Sequence, residues 1–160
     1  MDAIQDAAGI NQTPTATGES EMSAFSLHHL IVVLAAAIAA WLIGAVWYSP
    51  VMFAKAWVKA HGYTPEQLAA MQVMQGKVIG LTLVAMILMA WILGLFLNHL
   101  GANSVGDGVK WAFHAWLGFA VPLGFIAHLY SQKKYSALVI DLSYQLMYLA
   151  AMGAILGGWH

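Results

Sequence analysis

The sequence predicts an all-α polytopic membrane protein with four transmembrane helices and a short interfacial helix after the first crossing. Three observations lead there. Hydrophobic residues make up 61% of the 160 and charged residues 8%, against roughly 45–50% and about 25% in soluble domains. Charged residues are absent from 22–54, 78–106 and 111–132, and Asp141 is alone in 135–160. Each stretch exceeds the roughly 20 residues that a bilayer crossing needs. Finally, 81–97 and 115–127 lack the polar face at helical spacing that a soluble bundle requires.

The same composition removes several function classes. There is no arginine and the net charge is −1, so no basic surface exists for nucleic acid. The absence of cysteine excludes disulfides, thiolate metal sites and cysteine nucleophiles. The serines form no GxSxG, and no glycine loop is built for phosphate. A non-enzymatic role is therefore favoured.

Residues 1–24 are polar and acidic, and they read as a disordered tail ahead of a single membrane domain over 25–160. Asp2, Asp6, Glu19 and Glu21 stand where a secretory signal would be basic, so the first helix is expected to stay as an anchor. Membrane helices are placed near 26–48, 78–99, 111–130 and 136–157. Helix one carries Ala36, Ala40 and Gly44 at every fourth position and stops at Pro50.

In VMFAKAWVKAH (51–61), Phe53 and Trp57 share one helical face, and Lys55 and Lys59 the nearly opposite one. That pattern suits an interfacial helix with aromatics toward acyl chains and lysines toward headgroups. The alternative is an amphipathic helix packed on protein. Thr64-Pro65-Glu66-Gln67 forms a capping-box start, and the second long helix is expected to run unbroken over 66–98. Pro122, between Gly118 and Gly124, predicts a kink in helix three. Ser136 is the expected N-cap of helix four. Gly76/Gly80 and Gly153/Gly157 are GxxxG pairs, either within one chain or between copies in a homo-oligomer.

Lys55, Lys59, Lys77, Lys133 and Lys134 flank the first and third connections, and only Lys110 lies on the other side. Lysines mark the cytoplasmic side. Both termini are then expected to be periplasmic or extracellular.

Gly44, Trp47-Tyr48-Ser49-Pro50, Phe53 and Trp57, with GYTPEQL downstream and VIDLSYQLMYLAAMGAIL in the fourth helix, resemble a bacterial membrane-protein family known as domain of unknown function 1761. The resemblance covers about residues 26–159. It implies a four-helix inner-membrane protein and no particular activity.

Two groups of polar residues could carry a function. Asp141, Tyr144, Gln145 and Tyr148 form a stripe at i, i+3, i+4 and i+7, which should face protein rather than lipid. Asp141 is expected to turn inward and bond at least one of Tyr48, Lys77 and His128, which share its side of the membrane. The stripe is either a packing seam or a substrate or proton site. On the other side gather His28, His29, His99, His114 and His160. Such histidines can hold zinc, copper or haem iron when they converge. However, no HxxxH or HxxE pair lies on one helix. No cofactor is expected, and His28, His29, His99 and His114 are the residues a metal or haem would use.

Three function classes follow: a scaffold or accessory membrane subunit, a small oligomeric transporter or channel using the Asp141 stripe, and a metal- or haem-binding membrane protein. The first is preferred, because small-residue faces suit helix packing and no catalytic set is present. The bilayer itself is the expected partner.

Overall fold

A computed structural model of the chain describes residues 16–131 and 133–159, with side chains from residue 27 onward. The chain divides into Met1–Ile31 and Val32–His160. Among the described residues every regular element is helical: α1 (Ala16–Trp47), α2 (Ala54–His61), α3 (Pro65–Val73), α4 (Gln75–His99), α5 (Val105–Ala115), a π-helical turn (Trp116–Ala120), α6 (Val121–Ser131) and α7 (Tyr135–Gly158). Four segments are long and apolar enough to cross a membrane: Leu27–Trp47, Gln75–His99, Val105–Ser131 and Tyr135–Gly158.

One core serves the second unit. Val33, Ala36, Ala37 and Ala40 of α1 share it with Met86, Ala90, Leu93 and Leu97 of α4, Ala112 of α5, and Tyr148, Leu149 and Met152 of α7. The alanine seam of α1 thus lies within the chain. Large apolar side chains such as Leu42, Leu88, Phe119 and Leu123 point outward, as lipid-facing positions do when hydrocarbon is the solvent.

The closest helix approach is α5 on α7. A Cβ added at Gly108 would fall inside the Gly153 carbonyl oxygen, and one added at Gly157 would meet the Gly108 backbone. Glycine at these positions lets the two backbones touch. The Gly153/Gly157 pair therefore works within one chain, whereas Gly76 and Gly80 face open space.

Several elements differ from expectation. Helix α1 is described from Ala16 onward, and the rest of the expected tail, 1–15, lies outside the described residues. The second long helix is broken at Met74, in a stretch (71–80) that is exposed throughout. No packing holds the register there, and Gly76 weakens it further. The third crossing starts earlier, at Val105, where Ser104 caps the helix by accepting from the Asp107 N–H at 3.1 Å.

The distortion predicted at Pro122 takes the form of the π turn just before it, closed by Val121 N–H to the Trp116 carbonyl. Proline has no N–H to give the Gly118 carbonyl, so the regular ladder cannot continue. Ser136 does not cap α7; the helix starts at Tyr135 with Lys134 as its cap residue. The capping box at Thr64 forms as read, with Gln67 N–H on Thr64 Oγ1 at 3.3 Å and Thr64 N–H on Gln67 Oε1 at 3.0 Å.

Candidate functional site

Helix α1 ends because Pro50 pushes the preceding residue out of the helical region. The chain reverses through 48–53, held by Tyr48 N–H on the Gly44 carbonyl and Phe53 N–H on the Trp47 carbonyl, both at 3.1 Å. Helix α2 then lies against α7. Trp57 and His61 are one turn apart on its inner face, while Lys55 and Lys59 are exposed. The aromatic face of α2 is thereby turned onto protein, which corrects the expectation that Trp57 sits among acyl chains. The Lys134 N–H reaches the Ala60 carbonyl at 3.4 Å and fastens the end of α2 to the α6–α7 loop.

Asp141 is where these segments meet. Its Oδ1 accepts from the Tyr48 hydroxyl at 3.0 Å and from Trp57 Nε1–H at 2.9 Å. Its Oδ2 lies 3.4 Å from His61 Nε2. The other His61 nitrogen, Nδ1, bonds the Trp57 carbonyl at 3.0 Å. A carbonyl only accepts, so Nδ1 carries its hydrogen. Nε2 then meets the carboxylate favourably when it too is protonated. The rings stack in sequence: Tyr48 edge-on to Trp57 with centroids 5.4 Å apart, Trp57 to His61 at 4.4 Å, His61 to Tyr63 at 5.3 Å. Burial, and then the Asp141 charge, hold the Tyr48 hydroxyl well above the usual phenol range.

The rest of the stripe packs against the α1 end. Tyr144 lies under Gly44, where an added Cβ would come to 2.5 Å from its hydroxyl. Its ring meets Tyr48 at 5.0 Å, Tyr148 at 4.9 Å and Trp47 at 6.3 Å. Trp47 in turn packs on Phe53 at 4.7 Å. Among the described residues, buried Gln145 Oε1 and Trp47 Nε1 have no hydrogen-bond partner. The motif residues Gly44, Trp47, Tyr48 and Trp57 thus converge on the stripe, and Phe53 backs Trp47. Ser49 bonds the Val46 carbonyl at 2.7 Å and, with Pro50, shapes the turn.

Of the three partners considered for Asp141, Tyr48 is bonded to it. Lys77 is exposed on α4 and is not among the bonded groups. His128 packs on Tyr135 at 4.9 Å and borders a cavity that Asp141 also lines. His61 was not anticipated. Its signal in the sequence is the i, i+4 spacing from Trp57 on an amphipathic helix.

On the other side, His99 Nδ1 bonds the Leu95 carbonyl at 2.8 Å and His114 Nδ1 the Lys110 carbonyl at 2.7 Å. Each bonds its own helix. Among the described residues, no three His, Cys, Asp or Glu side chains are grouped so as to hold a metal ion. His28 and His29 belong to the first unit, and His160 lies outside the described residues.

Four apolar spans, and a carboxylate set beyond the first turn of one of them with its partners drawn from the same chain, define a helical membrane protein. The chain belongs to the family described as "Protein of unknown function (DUF1761)", whose model matches residues 31–157. That stretch holds both the Gly44–Trp57 motif and the Asp141 stripe. No curated protein and no solved structure matches the chain.

Proposed function

We propose that the protein is a non-enzymatic scaffold or accessory subunit of a bacterial inner membrane, acting through its lipid-embedded helix faces. The observation that carries this is the pair of hydrogen bonds that Tyr48 and Trp57 of the same chain donate to Asp141 Oδ1. A carboxylate used to move protons or substrate through four short helices would need to release these partners in each cycle. Here it fastens the end of α1 and all of α2 to α7. The lysine bias of the first and third connections favours both termini outward.

A second reading, a small oligomeric transporter, is favoured by one observation: the cavity beside Asp141 and Gln145. Complementation of a deletion strain separates the two. With Asp141→Asn, the scaffold reading expects cellular function to follow the amount of folded protein. A variant that accumulates and melts like the wild type yet loses function overturns that reading and moves the transporter ahead.

A further inference from the structure

A cavity of about 230 Å³ opens between α6 and α7, beside the His61 end of α2. Its apolar lining comes from Gly124, Ala127, Ala137, Leu138 and Leu142. Two acceptors lie on α7, one turn apart. Asp141 Oδ2 lies 3.4 Å from His61 Nε2 and belongs to a side chain still 34% exposed. Gln145 Oε1 is buried without a partner among the described residues. The donors stand nearer the surface: Lys133 on the α6–α7 loop, its Nζ 5.8 Å above the Tyr63 ring, and half-buried His128 at the end of α6.

A buried acceptor without a partner, Gln145 Oε1, beside a part-exposed carboxylate on an open cavity calls for a ligand with N–H or O–H groups. The carboxylate favours a cation among these. An anionic group on the same ligand would be met by Lys133 and His128. The cavity is smaller than the roughly 300–1,000 Å³ of ordinary ligand pockets, which suits a headgroup rather than a large metabolite. The Lys133–Lys134 loop also ends two spans, at the depth where headgroups lie.

We infer that this cavity binds a phosphoethanolamine group, its ammonium on Asp141 Oδ2 and Gln145 Oε1 and its phosphate toward Lys133 and His128. The aminophospholipid of the surrounding bilayer and a soluble phosphoethanolamine share this chemistry. A choline headgroup does not, because its quaternary nitrogen has no N–H to give. An anionic glycerol headgroup brings no cation to Asp141. The site is independent of the scaffold reading.

Native mass spectrometry of the full chain, released from detergent with equal amounts of phosphatidylethanolamine, phosphatidylcholine and phosphatidylglycerol, tests the inference. The ethanolamine lipid should be retained at least about fivefold over each of the others, the factor that one ordinary hydrogen bond supplies. Gln145→Met keeps the side-chain length and removes the acceptor, so it should erase the preference. Lys133→Gln, at an exposed loop position, should weaken retention of the ethanolamine lipid. Displacement of that lipid by O-phosphoethanolamine assigns the site to a soluble ligand of the same chemistry; resistance to displacement assigns it to the lipid. Equal retention of the three lipids, or a preference that survives both substitutions, overturns the proposal.

Discussion

The Tyr48 hydroxyl donates to Asp141 Oδ1 at 3.0 Å across 93 residues of sequence. This bond joins the end of the first span to the start of the fourth. With Trp57 on the same oxygen, it accounts for a carboxylate inside an apolar helix: an isolated charge there would cost several kcal/mol, and neighbouring donors offset that cost.

Asp141→Leu should lower stability by about 1–3 kcal/mol, the range for leaving buried donors unsatisfied. Asp141→Asn keeps an acceptor for Tyr48 and Trp57 and should cost clearly less. Thermal unfolding in a mild detergent orders the three proteins. A leucine variant as stable as the wild type would remove the fastening role.

Alkali should act through Tyr48. Its folded-state pKa is raised, first by burial and then by Asp141, so the folded protein holds this proton more tightly than the unfolded chain. The stabilisation is intact below the unfolded value of about 10. It is lost as pH climbs from there toward the folded value. Unfolding midpoints measured upward from neutral pH should fall above that point, and Tyr48→Phe should flatten part of the fall.

Gly44→Ala should destabilise by roughly 1–3 kcal/mol, as overpacking does, because its methyl meets the Tyr144 hydroxyl. Tyr144→Phe removes that oxygen. The double variant should therefore be more stable than Gly44→Ala alone. Additive losses in the double-mutant cycle would show that the two residues are not coupled.

Glycine positions should divide into two classes. Gly153→Val drives a side chain into the Gly108 carbonyl and should prevent α5 from docking on α7. A Cβ added at Gly80 meets nothing within 4 Å, so Gly80→Leu should leave the monomer's melting unchanged. Loss of an oligomer on Gly80→Leu, read by crosslinking in membranes, would identify that face as a contact between copies.

Orientation is read by single cysteines in a chain that has none. A cysteine at Asn103 should label with an impermeant thiol reagent in intact spheroplasts, and one at Lys134 only after lysis. Reversed labelling would invert the orientation while leaving the four spans in place.

Composition and long apolar runs, three free of charge and the fourth holding only Asp141, by themselves determined the four spans, because a bilayer demands about 20 apolar residues per crossing. Local rules gave the capping box at Thr64, the break at Pro50 and the distortion before Pro122, since each depends on residues within one turn. The inward turn of Asp141 was also legible, because a charge on a membrane helix seeks protein.

Which partners it finds was decided by tertiary structure alone. Lys77 and His128 were as well placed by depth as Tyr48, yet only Tyr48 is bonded among the three. Trp57 and His61 reach Asp141 because the turn after α1 lays α2 on α7 rather than on lipid. The sequence pattern of α2 suits either surface, since an aromatic face is satisfied by acyl chains as well as by a neighbouring helix. Only the Gly44–Tyr144 contact and the bonds to Asp141, made between residues some 80 to 100 positions apart, choose between them. Periodicity within one helix reports which residues share a face; it carries no record of what that face will meet.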